Sequence, residues 1–146
     1  MSEKIQFLGR SRFASGTLRK NIRKSLVKIC ETHSFVIESL VYIHLTDEEL
    51  LKLNQEHLNH DTYTDIITFD LSDKEGVIDG EIYISIDRVK ENAQSFDCEF
   101  FTEYVRVVSH GLLHLLGYGD KTTREAEKMR EKEQEAIEIW QSLRST

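Results

Sequence analysis

The side chains best suited to chemistry lie near the end of one long apolar stretch. His110 and His114 are four residues apart, so a helix there would place both imidazoles on one face, one turn apart. Gly117 follows where a helix typically ends, because glycine accepts the left-handed conformation of a C-cap. A reversal at Gly117 would bring Asp120 back beneath the histidines. Two imidazoles and a carboxylate, with a fourth position left for water, are typical ligands of a catalytic zinc ion.

The same residues admit a structural interpretation. His110 and His114 could form hydrogen bonds inside a packed helix, and Asp120 could cap the helix that follows. The full order His-x-x-x-His-x-x-Gly-x-x-Asp favours the metal. It does not favour a peptidase, because zinc proteases carry a glutamate general base directly after the first histidine. Gly111 occupies that position here.

The composition predicts one globular domain over residues 1–146 with a sizeable core. The chain is 39% hydrophobic and 31% charged. It has no apolar run long enough to cross a bilayer and no signal-peptide pattern, so we expect a cytoplasmic protein without a membrane partner. Cys30 and Cys98 lack the spacing of metal or redox sites, and we expect both to be buried, reduced thiols.

The net charge of −7 is unevenly distributed along the chain. Residues 1–30 carry eight basic side chains and one acidic, whereas the remaining residues carry 11 basic and 25 acidic. The basic segment is either a phosphate-binding face on an acidic body or a solvated helix surface. The charge pattern alone leaves both interpretations open.

The hydrophobic pattern predicts the elements that position these residues. Thr46 and Glu49 form a capping box that opens one of the helices. A short turn between the third and fourth strands predicts an antiparallel hairpin. The predicted strands cover residues 4–8, 36–45, 64–71 and 79–86, and the predicted helices cover residues 18–32, 46–57, 87–95, 100–116 and 122–143.

Several motifs occur together in this chain. They are His110-Gly-Leu-Leu-His114-Leu-Leu-Gly117-Tyr, Leu53-Asn54, Thr64-Asp65-Ile-Ile-Thr-Phe69, Gly80-Glu-Ile-Tyr-Ile-Ser85, and Met129 with Glu133. From roughly residue 40 to the end, the chain resembles the YbeY family of bacterial ribonucleases and ribosomal-RNA maturation factors, which was once assigned to the metalloproteases.

The resemblance implies a single α/β (α+β) domain, with a small mixed sheet flanked by helices and a metal site at the end of a central helix. It implies one Zn²⁺ per chain, other divalent metals being possible. The implied activity is a single-strand-specific endoribonuclease for 3′-end maturation of small-subunit (16S) ribosomal RNA and ribosome quality control. Partners would be single-stranded or ribosomal RNA and proteins of the small subunit. The alternatives are a noncatalytic assembly factor with a structural metal and a metallohydrolase of another class, such as a peptidase.

Two departures from the family pattern bear on the site. The third ligand is usually histidine and is Asp120 here, and the preceding aspartate is Gly119. An anionic ligand should make the metal a weaker Lewis acid and favour harder ions such as manganese. The family also has a Tyr-Arg pair where this chain has His57 and Leu58, so another basic residue, such as Arg10 or Arg12, would have to replace that arginine.

The mechanism we expect is metal-assisted cleavage of an RNA phosphodiester. Attack by water would leave a terminal phosphate and attack by the 2′-hydroxyl a cyclic phosphate; both remain open. Asp65 is the catalytic candidate, as partner of a ligating histidine or as base, with turn chemistry as the alternative. Ser85 and Tyr118 are weaker candidates, and Tyr118 is expected to pack. We expect His44 to be a packed histidine and His60 to be a solvated one.

Overall fold

A four-stranded mixed sheet is the centre of the fold. The computed structural model describes residues 4–9, 16–58 and 64–144. Its strands run in the order β1-β2-β4-β3, with β1, β2 and β4 parallel and β3 antiparallel to β4. This confirms the mixed sheet and the hairpin. The strands are β1 (Ile5–Gly9), β2 (Val36–Leu45), β3 (Ile66–Asp70) and β4 (Val77–Ser85).

Five helices accompany the sheet. Their limits differ from the predicted ones by one or two residues, as is usual at frayed helix ends. The predicted capping box is present, since the Thr46 hydroxyl accepts from the Glu49 N–H at 3.2 Å and the Glu49 carboxylate accepts from the Thr46 N–H at 2.9 Å. The helices are α1 (Gly16–Thr32), α2 (Asp47–Leu58), α3 (Ile86–Ser95), α4 (Phe100–Leu115) and α5 (Thr123–Arg144).

Helix α4 lies directly on the sheet because Gly111 has no side chain. A Cβ at this position would stand 2.8 Å from Ile82 Cδ1, closer than real Cβ contacts, and 3.0 Å from Ile66 Cδ1, which is tighter than most. Ile82 is fully buried. The position after the first histidine therefore faces the core and not the metal-binding group, which explains why the glutamate of a protease does not fit there.

His44 and Cys30 are buried titratable side chains that lie outside the motif. His44 is buried, donates from Nδ1 to the Leu8 carbonyl at 3.0 Å and accepts from the Tyr104 hydroxyl at 2.6 Å, as expected for a packed histidine. Burial lowers the pKa of His44 to about 4. Cys30 is buried, and burial raises the pKa of its thiol to about 12.

The prediction that both cysteines are buried is wrong for Cys98. Both thiols are free, but Cys98 is exposed, because it lies in the short surface connection between α3 and α4. Within the ranges that the structure describes, no helix is long and apolar enough to cross a bilayer.

Candidate metal centre

The turn after α4 has the left-handed C-cap geometry that Gly117 predicted. Gly117 adopts a φ of +107°, which favours glycine. Its N–H donates to the His114 carbonyl at 3.0 Å, and the Tyr118 N–H donates to the Leu113 carbonyl, also at 3.0 Å. This pair of bonds is a Schellman motif, which satisfies the last carbonyls of the helix and reverses the chain. The reversal brings Asp120 back toward the face of α4 that carries both histidines.

Three ligand atoms converge at this turn. His110 Nε2 lies 3.0 Å from His114 Nε2, and Asp120 Oδ2 lies 3.5 Å from the first nitrogen and 3.3 Å from the second. A tetrahedral zinc ion with bonds of about 2.0–2.1 Å separates its ligand atoms by about 3.3 Å. The side chains present therefore fit a metal ion, and the structure brings together all three predicted ligands.

The group is open to solvent on one side. The histidine side chains are 17% and 30% exposed, whereas the Asp120 side chain is 43% exposed. A closed structural zinc site normally has four protein ligands. Three ligand residues with an exposed carboxylate leave space for water or substrate at a further position.

Asp120 is left free to face the histidines because other residues cap the next helix. The Thr122 hydroxyl accepts from the Glu125 N–H at 3.0 Å, and the Glu125 carboxylate accepts from the Thr122 N–H at 3.2 Å. This is a capping box for α5. A Cβ at Gly119 would stand 3.0 Å from the Glu125 carboxylate, so the absence of a side chain at Gly119 leaves room for that carboxylate. The alternative in which Asp120 caps α5 is therefore wrong.

A buried carboxylate orients one of the histidines. His110 Nδ1 lies 2.5 Å from Oε2 of Glu133, which is 5% exposed. The neutral imidazole donates from Nδ1, so the lone pair of Nε2 points toward Asp120 and His114. The sequence motif named Glu133 but assigned it no role. A signal was available, because Glu133 is the charged residue in the buried stripe of α5, with Met129, Ala136, Ile137 and Trp140.

Arg106 connects this carboxylate to two others. Its guanidinium lies 3.3 Å from Glu133, forms two hydrogen bonds with buried Glu103, and lies 3.6 Å from Asp65. Burial acts to lower the pKa of Arg106, but the hydrogen bonds and charges of Glu103, Glu133 and Asp65 hold it above its ordinary value. The result is one continuous ion-pair network from Asp65, directly before β3, to the metal-binding group.

Asp65 belongs to this network. Its carboxylate contacts Arg106 and accepts from the Asn92 amide at 3.4 Å. The contact with a ligating histidine that we expected of Asp65 is made by Glu133, and Asp65 reaches His110 through Arg106 and Glu133. A catalytic role for Asp65 stays a prediction.

The comparison with protein families decides the relationship. The family model described as Endoribonuclease YbeY matches residues 6–141. The chain belongs to the YbeY family. Proteins named Endoribonuclease YbeY resemble it over most of its length. That of Cytophaga hutchinsonii is 50% identical over 121 residues, covering 83% of this chain and 85% of the relative. That of Christiangramia forsetii is 46% identical over 121 residues, covering 83% and 84%.

A solved structure supports the fold independently. The solution structure of TM1509 from Thermotoga maritima superposes with a TM-score of 0.70 and 31% sequence identity, covering 97% of this chain and 92% of that chain. The family model and this similarity both cover the elements that carry His110, His114, Asp120 and Glu133.

The remaining candidates have structural contacts or lie outside the described residues. Ser85 is the N-cap of α3, where its hydroxyl accepts from the Arg88 N–H at 3.1 Å. Tyr118 packs against the core and donates to His33 Nε2 at 2.8 Å, so the expectation that it packs is confirmed. Arg10, Arg12, His60 and the side chain of Leu58 lie outside the described residues.

Proposed function

We propose that this chain is a metal-dependent, single-strand-specific endoribonuclease that acts in 3′-end maturation of small-subunit (16S) ribosomal RNA and in ribosome quality control. The observation that carries this proposal is the convergence of His110 Nε2, His114 Nε2 and Asp120 Oδ2 within 3.0–3.5 Å in a chain of the YbeY family. Relatives named as endoribonucleases, at up to 50% identity, support the reaction class.

Zn²⁺ is the ion we propose for the three ligands, at one per chain. Two imidazoles and one carboxylate suit zinc, and the carboxylate also suits harder divalent ions such as Mn²⁺. When bound, the ion would supply Lewis-acid polarisation of a phosphoryl oxygen, activation of a water molecule, or both.

The chain's own residues hold the ligands for that chemistry. Glu133 keeps the Nδ1 proton of His110 in place, and Arg106 fixes Glu133 from the other side. Asp65 is ion-paired with Arg106, its Oδ2 lying 3.6 Å from the guanidinium. We therefore propose that Asp65 positions Arg106, which in turn holds Glu133 beside His110.

The proposal implies a cytoplasmic protein, because ribosomal RNA is matured beside the assembling subunit. A chain with a net charge of −7 is repelled by RNA over most of its surface. Proteins of the small ribosomal subunit are accordingly proposed as partners that deliver it to the RNA.

Two other functions are less consistent with the geometry. A peptidase would need a base, and the Gly111 position faces Ile82 and Ile66 in the core. A noncatalytic assembly factor would need the metal for stability alone, which suits a closed site better than one with Asp120 exposed.

The test is metal content and RNA cleavage, measured together. Wild-type protein purified without chelator is compared with His114→Ala and with His57→Ala, which removes an exposed histidine elsewhere. We expect near one zinc per chain and cleavage of single-stranded RNA in the wild type and His57→Ala, with both lost in His114→Ala. Metal without cleavage, with or without small-subunit proteins, would favour the assembly factor, and absence of metal from all samples would refute the site.

A further inference from the structure

Helix α1 carries three lysines at intervals of four residues. Lys20, Lys24 and Lys28 are exposed, and the described parts of the chain offer them no ion-pair or hydrogen-bond partner. Of the four lysines on the other helices, three pair with an acid on the same helix, as Lys52 does with Glu56 at 4.0 Å and Lys128 does with Glu131 at 3.6 Å; Lys90 of α3 is the fourth. Three uncompensated cations on one helix favour an anionic partner.

These lysines border a groove with an apolar floor, which we call the α1 groove. Its volume is about 1070 Å³. Phe35, Val36 and Ile37 contribute apolar surface from the start of β2, and Val36 is 65% exposed. The basic residues that line the groove are Lys4, Lys20, Arg23, Lys24 and Lys28, against the single acidic residue Glu31.

The α1 groove adjoins a second cavity at the end of α4. A second cavity of about 490 Å³ shares Phe35 with it and is lined by Leu115, Leu116 and Gly117, where α4 ends. The hydrogen bond between His33 and Tyr118 also joins the end of α1 to the turn that leads to Asp120. A polymer that leaves the α1 groove past Phe35 would therefore reach the end of α4.

We propose that the α1 groove binds the single-stranded RNA segment that flanks the scissile phosphodiester. The lysines would contact successive phosphates while unstacked bases rest on Phe35 and Val36, a combination typical of single-strand binding. In a duplex the base faces are stacked on one another, so they cannot contact the apolar floor of the groove. This inference rests on the proposed function, since it assigns part of the substrate of the same site.

The test compares two triple variants with equal charge. Lys20→Gln/Lys24→Gln/Lys28→Gln removes the groove cations, and Lys52→Gln/Lys90→Gln/Lys128→Gln removes exposed lysines outside the groove; each changes the formal net charge from −7 to −10. Glutamine keeps a high helix propensity. Binding of a labelled, unstructured RNA oligonucleotide is measured by fluorescence anisotropy over a range of salt, with His114→Ala in every protein so that the RNA stays intact.

The groove variant should lose both affinity and salt dependence. Losing three phosphate contacts should make the negative slope of log affinity against log salt shallower by about 2. Each contact raises the affinity about fivefold at 0.1 M salt relative to 1 M salt. We therefore expect at least about 20-fold weaker binding in the groove variant at 0.1 M salt, less than about twofold in the control, and no specific loss for duplex RNA. Phe35→Ala should weaken binding without changing the slope.

The outcomes separate this inference from the proposed function. Equal losses in the two triple variants, or unchanged binding in the groove variant with folding verified by thermal melting, would overturn the groove assignment. Equal loss for duplex RNA would overturn its single-strand character. Failure of metal-loaded wild type to cleave RNA would overturn the proposed function and leave the binding result intact. In active protein, the groove variant should raise KM for long RNA with kcat unchanged.

Discussion

The metal centre and the α1 groove hold their charges in opposite ways. In the metal centre, Glu133 and Arg106 each have a fixed charged partner and are mostly buried. In the groove, Lys20, Lys24 and Lys28 project into solvent without partners among the described residues. A metal ion requires ligand atoms held within a few tenths of an ångström, whereas a flexible polyanion is bound by mobile point charges. Rigidity should therefore matter for the first region and total charge for the second.

The largest effect should follow from removing the carboxylate ligand. Asp120→Ala leaves two imidazoles for the ion, and we expect zinc affinity, measured by competition with a chromophoric chelator, to fall by about 100-fold or more. The α1 groove triple variant should keep wild-type zinc affinity. A comparable loss of zinc affinity in Asp120→Ala and in the groove triple variant would show that the two regions are coupled. It would contradict the distinction between them.

The same position tests the choice of metal. Asp120→His replaces an anion with a neutral nitrogen, and we expect the affinity for zinc relative to manganese to rise. Measuring both affinities in both proteins gives the ratio directly. An unchanged or reversed ratio would mean that Asp120 does not bind the ion through its carboxylate.

A smaller loss should follow from neutralising the partner of His110. Glu133→Gln can still accept the Nδ1 proton, but it removes the charge that fixes the imidazole and pairs with Arg106. Mutations of such partners typically lower metal affinity about 10- to 100-fold. Glu135→Gln, on the exposed side of the same helix beside Lys132, is the matched control and should have wild-type affinity. Equal affinities in the two variants would contradict the assigned role of Glu133.

These predictions involve residues that the sequence revealed to very different degrees. His110, His114, Gly117 and Asp120 could be predicted because their relationship is local and depends on the helical repeat and on one C-cap. Strands and helices were predictable from the same kind of short-range periodicity. The contact of Glu133 with His110 spans 23 residues and depends on how α5 packs on α4. Spacing carries no information on such a contact, although a charge in an apolar stripe indicates that a partner exists.

For Asp65, the sequence predicted the residue but not its contact. The sequence indicated a carboxylate near the site, and the structure places Asp65 at the far end of the Arg106 network, where Arg106 stands between it and Glu133. The burial of Cys98 was predicted wrongly because the cysteine's average preference for the interior does not account for its place in a surface connection.

The packing of α4 against the sheet should be sensitive to substitution of Gly111. In Gly111→Ala, the added methyl group would meet Ile82 at 2.8 Å. Overpacking of this kind costs about 1–3 kcal/mol, and the better helix propensity of alanine offsets about 1 kcal/mol. We expect a net loss of up to about 2 kcal/mol in the free energy of unfolding, measured by urea denaturation.

A second substitution, at Ile82, tests whether the loss comes from this contact. Ile82→Val removes the Cδ1 atom that the new methyl group would meet, so the double variant should lose less stability than the sum of the two single variants. Strict additivity would mean that Gly111 is not required for the close approach of α4 to β4.

The smallest effect should follow from cutting the link between the two regions. Tyr118→Phe removes the hydroxyl that donates to His33 Nε2 and leaves the backbone bonds of the Gly117 turn intact. Such a hydrogen bond contributes about 0.5–1.5 kcal/mol to stability. We expect a loss of that size in thermal or urea unfolding, with zinc affinity unchanged within about twofold, because Asp120 is positioned by the turn and by the capping box of α5. A fall in zinc affinity as large as that of Glu133→Gln would instead mean that the end of α1 helps to position the metal ligands. The basic groove and the metal centre would then act as one unit.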